Sequence, residues 1–327
     1  MTLLNVPNAM KNIAGLALTR YAPAAIRHLA PVEVKSKFRI TANPSFIDIQ
    51  EKASLRGIRI SRQNAVYLLD MMNSFDYYFQ STSALRVRKF GEIIDLVDFS
   101  TPRFHQINGF SDFPVMCSSL TEPFVTAEQY LEFARLQPGD VAIDLGSYSC
   151  LTSVAFSKAV GASGKVIAIE PDPLNYSCCQ TNISQHGKVN KLNNIELLNI
   201  AVSGEDSFLE FSSEGAMGSS AANLVGTYRG DVIKVPCKTL GSLASQLNLQ
   251  KVDFIKMDIE GSELEVIRSS KSFFEKFKPR IIIEPHVVNG ALSDGQIIND
   301  LTHFGYDCSV IQQTGVEIPL VTGTPRQ

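Results

Sequence analysis

Six side chains able to give or take a proton stand at or just past the ends of apolar runs: Asp144 in VAIDLG, Glu170 in VIAIEP, Asp258 and Glu260 in VDFIKMDIE, and Glu284 and His286 in PRIIIEPH. If those runs are parallel strands, ligands lie outside their carboxyl ends, and all six groups gather at one crevice. Asp258, Glu260, Glu284 and His286 would then form its mouth and are the candidate catalytic set. Deprotonating a hydroxyl whose oxygen is held in line with an electrophilic carbon requires such a positioned base. His286 has the ordinary pKa nearest neutrality, whereas Asp258 or Glu284 would need burial to raise theirs. A plainer use also fits, with Glu260 capping the helix that starts at Gly261 and His286 in a surface loop. The same cluster offers hard ligands to a divalent metal, a use the sequence favours less than acid/base work.

The cofactor side rests on Asp144, Gly146, Ser147, Tyr148 and Glu170, with Asn199 and Ala201 at the end of the third strand as the border of a base-binding pocket. A carboxylate at the first turn accepts hydrogen bonds from an ammonium or a hydroxyl and repels a pyrophosphate. Glu170 is placed to hold both hydroxyls of a ribose, the position an acid takes after the second strand of dinucleotide folds. The turn LGSYSC lacks G-x-G-x-x-G, which counts against a nicotinamide cofactor. S-adenosyl-L-methionine, zwitterionic at one end and without phosphates, is the ligand these residues suit.

The elements that must position them follow from periodicity. From about residue 125 short apolar runs alternate with helical stretches, the pattern of βαβ units: helix 127–136, strand VAIDLG, helix LTSVAFSKAVG, strand KVIAIEP, a helix around NYSCCQTNISQHG, and IELLNIAV as third strand. FLEFSS and VIKVPCKTL predict an inserted hairpin or flap at about 205–240, and the glycine-rich stretch from Gly215 to Gly230 could serve as a lid. Then come helix GSLASQLNL, strand VDFIKMDIE, one helix GSELEVIRSSKSFFEKF, strand PRIIIEPH, helix DGQIINDLTHFG and a closing hairpin, YDCSVIQQ with VEIPLVTG. Residues 1–124 predict an accessory cap, helical near 45–57 and 62–80 and then of short strands, with Met71, Met72 and Phe75 in its core. Cys178 and Cys179 fall on a helix, buried rather than reactive.

Composition excludes several functions. With 44% apolar residues in 327, the chain buries a substantial core. A net charge of −3 and the lack of a dense Lys/Arg run remove the footprint of a nucleic-acid binder, leaving a small-molecule or glycan partner. Six cysteines without a C-x-x-C pair argue against a disulfide framework and for a reducing, cytoplasmic setting. No apolar run reaches the roughly 18 residues of a membrane span. The first 30 residues, broken by Pro7 and Pro23, lack an export-signal layout, and their mild amphipathic pattern leaves weak membrane-surface contact as a secondary role.

Residues 120–310 resemble the FkbM family of S-adenosylmethionine-dependent methyltransferases. The likeness is carried by EQYLEFARLQPGDVAIDLGS, GKVIAIEPDPLNY, NIAVSGEDSFLEF, PRIIIEPH and above all VDFIKMDIEGSELEVI, in which Lys256, Asp258, Glu260, Gly261 and Glu263 reproduce the family's K-x-D-x-E-G-x-E string. Two positions depart from it: Cys150 stands where the family's D-x-G-x-x-x-G loop ends in glycine, and Tyr148 replaces a common Asn. The resemblance implies a class I methyltransferase fold, an α/β Rossmann-like domain over 125–327 with a seven-stranded, mostly parallel sheet and an antiparallel terminal hairpin. It also implies O-methylation in the biosynthesis of sugars, polysaccharides or natural products. A nicotinamide-dependent oxidoreductase and a non-catalytic scaffold of the same fold are the competing readings.

Overall fold

VAIDL, KVIAI, FIKM and RIII are dense in Val and Ile and show no polar alternation, as strands covered on both faces do. The computed structural model, which describes residues 36–89, 91–221, 231–288, 290–316 and 318–326, divides the chain into two compact units, Met1–Pro123 and Phe124–Gln327. In the second unit α3 (Phe124–Ala134), β8 (Val141–Leu145), α4 (Leu151–Val160), β9 (Lys165–Ile169), α5 (Pro173–Asn190) and β10 (Ile195–Leu198) follow one another, with β15 (Phe254–Met257) and β16 (Arg280–Ile283) later in the chain. These five strands pair in parallel. The hairpin of β19 (Tyr306–Gln312) and β20 (Pro319–Pro325) completes a seven-stranded sheet ordered β10-β9-β8-β15-β16-β20-β19, with β20 antiparallel to both neighbours. That is the class I methyltransferase arrangement.

Side chains alternate between two cores. Ile143, Ile167, Ile255 and Ile283 pack on one face with α6 (Leu240–Gln246), α7 (Glu263–Ser269), α8 (Lys271–Phe277) and α9 (Asp294–His303). Ala142, Val166, Phe254 and Ile282 pack on the other with Tyr130 of α3 and Phe156 of α4. Fully burying each of these large side chains contributes about 1.5–3 kcal/mol. All six cysteines are free thiols, and Cys178 and Cys179 are buried on α5.

Two local expectations change in this unit. The third strand is interrupted: β10 stays in the main sheet, while β11 (Ala201–Val202) joins β12 (Ser207–Ser213), β13 (Ser220–Ala221) and β14 (Asp231–Lys238) in a separate four-stranded sheet, the inserted flap. Residues 222–230 of the expected lid lie outside the described residues. The helix expected over GSELEVIRSSKSFFEKF is two helices, because Ser270 leaves helical geometry at φ −109° between α7 and α8. A small hairpin, β17 (Val287–Val288) with β18 (Ala291–Leu292), follows β16.

The first unit holds a sheet ordered β1-β2-β3-β5-β4, built from β1 (Phe38–Ala42), β2 (Phe46–Glu51), β3 (Arg56–Ser61), β4 (Leu85–Lys89) and β5 (Glu92–Phe99), followed by the antiparallel pair β6 (Arg103–His105) and β7 (Val115–Cys117). Only β3 and β5 are parallel, and the crossover between them carries helices α1 (Leu68–Asn73) and α2 (Phe75–Phe79). Residues 45–57, expected to be helical, are therefore the β2–β3 hairpin. Ile47, Ile49, Ile58, Ile60, Leu68, Met71, Met72 and Phe75 are buried. Asp48, Arg59 and Asp98 form one row across the sheet; Arg59 Nε donates to Asp48 (2.7 Å) and Lys89 Nζ to the same carboxylate (2.6 Å). The expected membrane-contacting segment, residues 1–30, lies outside the described residues. Among those described, no helix is long and apolar enough to cross a membrane.

Candidate functional site

The turn from β8 into α4 is drawn tightly against β15. Gly146 has φ +77°, and a Cβ there would lie 1.8 Å from the Asp258 carbonyl oxygen, so its missing side chain admits the chain's own backbone. Tyr148 (φ 48°) and Cys150 (φ 60°) are also left-handed. These are the two places where the family pattern prefers Asn and Gly, the residues that tolerate that conformation; Tyr and Cys carry roughly 1–2 kcal/mol of strain each. Ser147 is buried and donates its hydroxyl to Asp144 O (3.0 Å).

Asp144 is fully buried beneath this turn. Ser153 Oγ donates to its Oδ2 (2.5 Å), and Oδ1, with no hydrogen-bond partner among the described residues, faces Lys256 Nζ at 3.5 Å. Burial pushes its carboxyl above the ordinary aspartate range, against the pull of Lys256 and Ser153. Lys256, in the middle of β15, donates to Gly146 O (2.7 Å) and lies 3.4 Å from Asp258 Oδ2. One buried ammonium thus joins the first turn to the mouth of the crevice.

At the end of β9, Glu170 is buried and accepts from Tyr148 N (2.8 Å), Asp172 N (2.9 Å) and Asn175 Nδ2 (3.4 Å). Burial outweighs these donors and pushes its pKa up to about 8. Asp172, two residues on, caps α5 through Leu174 N and Asn175 N with one oxygen. Its other oxygen accepts from Ser213 Oγ (2.8 Å), Gly215 N (3.0 Å) and Ser219 Oγ (2.8 Å). The flap is thereby latched beside Glu170. Asn199 donates to Glu170 O (2.8 Å) and Pro171 O (3.1 Å), holding the corner where β10 leaves the sheet, whereas Ala201 packs into the flap's own core with Phe211 and Val235.

The catalytic candidates come together. Asp258, Glu284 and His286 each present a ligand atom within 4.8 Å of the others, and His286 Nε2 lies 3.7 Å from both Asp258 Oδ1 and Glu260 Oε2. Glu263, in the first turn of α7 and fully buried, accepts from Ile259 N (3.0 Å), Gly261 N (3.1 Å) and His286 Nδ1 (2.9 Å). A carboxylate there fixes the tautomer: Nδ1 carries a proton and Nε2 faces the cluster. Burial opposes a charge on His286, yet Glu260, Glu263 and Asp258 hold its pKa well above the ordinary histidine value. Lys256 and Glu263 belong to the K-x-D-x-E-G-x-E string but their roles are not readable from spacing. A lysine inside FIKM is the one signal, since a cation in a buried strand requires an anion beside it.

The donor set discriminates between cofactors. Glu170, a buried acceptor whose described partners are all N–H groups, suits vicinal hydroxyls and would repel a pyrophosphate, and the β8–α4 turn lacks the G-x-G-x-x-G loop that a pyrophosphate needs. The residues fit an adenosyl ligand without phosphates. Glu170 and the 146–148 turn would hold it.

The sequence profile of the methyltransferase FkbM domain matches residues 141–308, just over half of the 327-residue chain. No curated protein matches it. Among solved structures it is similar to methyltransferase FkbM from Methylobacillus flagellatus KT, with 16% identity over 60% of this chain and 50% of that one and a TM-score of 0.42. The chain thus spans half the length of that relative. It is also similar to a methyltransferase from Geobacter sulfurreducens (15% identity, 63% and 80% covered, TM-score 0.40). A third is an O-methyltransferase from Bacillus cereus solved with SAH (12% identity, 63% and 82% covered, TM-score 0.38).

Proposed function

The chain belongs to the methyltransferase FkbM family, and from that premise we propose that it is an S-adenosylmethionine-dependent O-methyltransferase acting on a hydroxyl of a sugar, glycan or natural-product acceptor. The cofactor supplies the methyl group. Glu170 accepts the ribose hydroxyls, and the 146–148 turn, braced by Asp144 and Lys256, seats the amino-acid end. His286 is the base: Glu263 orients its ring so that Nε2 takes the proton of the acceptor hydroxyl, and Asp258 and Glu260 stabilise the imidazolium that forms. Glu284 stands beside His286 as a further acceptor for the incoming hydroxyl. Because the surrounding acids raise its pKa, His286 is free to act as base only above the ordinary histidine range, so turnover rises with pH there.

The observation that carries this reading is the Glu263–His286 pair set among three further carboxylates past the ends of β15 and β16. Its test supplies methyl-labelled S-adenosylmethionine with a panel of alcohols, amines and carboxylic acids. Label should appear as base-stable methyl ethers, and His286→Asn should lower turnover by about 10²–10⁴-fold with S-adenosylhomocysteine binding retained. Label found only on amines would overturn the oxygen assignment, label found only on carboxylic acids would overturn the hydroxyl acceptor, and absence of cofactor binding would return the scaffold reading. The closeness of Asp258, Glu284 and His286 supports one second reading, a divalent cation held by the three. Turnover abolished by EDTA and restored by Mg²⁺ would make His286 a ligand rather than the base.

A further inference from the structure

Glu170 is only 4% exposed, so ribose hydroxyls cannot reach its carboxylate in the chain as folded. Its acceptor sites are also largely taken. A carboxylate offers about two sites on each oxygen. Oε2 accepts from Tyr148 N (2.8 Å), and Oε1 from both Asp172 N (2.9 Å) and Asn175 Nδ2 (3.4 Å). Holding two vicinal hydroxyls needs one open site on each oxygen, and Oε1 has none left. The donor placed to yield is Asn175. Its bond is the longest of the three and comes from a side chain, whereas the other two come from backbone N–H groups.

Asn175 does not move alone. The same Nδ2 donates to Ala216 O (3.1 Å), in the turn between β12 and β13 that forms the tip of the flap. That tip, residues 213–219, is held largely from outside its own sheet. β12 and β13 pair only at Phe211↔Ala221 and Ser212↔Ser220, whereas Ser213 Oγ, Gly215 N and Ser219 Oγ all donate to Asp172 Oδ2. Ala216 is fully buried. At Gly215 (φ +59°) a Cβ would lie 2.6 Å from Leu174 Cδ2, so the tip rests directly on the first turn of α5. The body of the flap does not depend on these bonds, since β12 and β14 pair from Ser207↔Cys237 to Ser213↔Asp231.

We propose that the flap tip is an inhibitory latch on the cofactor site: it holds Asn175 against Glu170 Oε1, and seating of the ribose displaces Asn175 and frees the tip. The proposal rests on the assignment of Glu170 to the ribose above. Cofactor and latch compete for one carboxylate oxygen, so the latched form slows cofactor entry and lowers apparent affinity by the fraction of chains that are open. The tip is then freer in the complex than in the free chain. A lid that sequesters its ligand behaves in the opposite way and tightens on binding.

The test is stopped-flow binding of S-adenosylhomocysteine to the full chain at one fixed pH, with hydrogen exchange of residues 213–219 followed in the free and bound protein. Ser213→Ala combined with Ser219→Ala removes two latch donors and leaves the Asp172 cap of α5 in place. This variant should bind about five-fold faster or more, with its dissociation rate within about two-fold and its affinity raised to match. Ser219→Ala alone, the milder change, should shift the association rate the same way by less. Asn175→Ala, which clears Oε1 directly, should also speed association. Exchange at 213–219 should be faster in the complex than in the free chain. Unchanged association rates in these variants, or exchange slowed by the ligand, would overturn the latch. Failure of the cofactor assignment would show separately, as no S-adenosylhomocysteine binding by the unaltered chain.

Discussion

Glu170 combines two demands that conflict: it is buried at the end of a strand, and its proposed use in holding ribose hydroxyls requires the charged form. Its pKa of about 8 is raised by burial against three donors, and two ribose hydroxyls would add donors that favour the carboxylate. Ligand binding should therefore expel a proton. Affinity for S-adenosylhomocysteine is expected to rise as pH increases towards about 8 and then level off, with a binding enthalpy that depends on the buffer's ionisation heat. A flat affinity between pH 6 and 8 in calorimetry would separate Glu170 from the cofactor. At this scale the sequence was most informative where an acid follows an apolar run: Glu170, Asp258, Glu284 and His286 all stand at strand ends. It placed Asp144 at the cofactor turn but did not show that its carboxylate is turned onto Ser153 and Lys256, because strand pairing places Lys256 directly beside it. Glu263 escaped for the same reason, since its partner His286 arrives from another strand.

Elements were legible where their periodicity was unmixed. The parallel strands have few polar residues to blur them, Asp144 and Lys256 inside and Lys165, Glu196 and Arg280 at or next to strand starts, and the sheet order follows from their alternation with helices. The β2–β3 hairpin was misread because its pattern mixes isoleucines with Asp48, Gln50 and Arg59 on the other side of the strands. Those polar groups are paired or buried instead of facing water, so alternation did not look like alternation, and the helix-forming EKASL proved to be the turn. The split of α7 from α8 lies at consecutive serines, weak helix formers. Between elements, Asp172 serves both α5 and the flap. Asp172→Ala should cost about 0.5–2 kcal/mol for the lost cap and in addition speed hydrogen exchange at 213–219. Asp172→Ser, which keeps a capping hydroxyl, should recover most of the stability but not the flap's protection. Equal protection in all three chains would mean that the flap is held by its strand pairing alone.

Across the whole molecule the charges nearly balance, yet their distribution makes stability depend on pH. Glu51, buried in the first unit, is held down at about 2: burial opposes the charge, but Ser54, Arg56 and Lys37 donate to it. A depressed carboxylate stabilises the fold fully above its ordinary value of 4.5, and that contribution fades as pH falls from there towards about 2. Thermal melts of Glu51→Gln and the unaltered chain should differ most near neutrality and converge as the medium is acidified from pH 5 to 3. A gap that stays constant over that range would show that Glu51 acts through packing alone.

The strand order carries one consequence for how the chain comes into being. β20 lies between β16 and β19 although it follows both in sequence. During synthesis on the ribosome, at roughly 5–20 residues per second, β16 is already made while residues 319–325 are still to come. Until they emerge, the strand leading to Glu284 and His286 has one bare edge, the kind of surface to which other chains add themselves. β20, made after both of its neighbours, completes the sheet and removes that hazard.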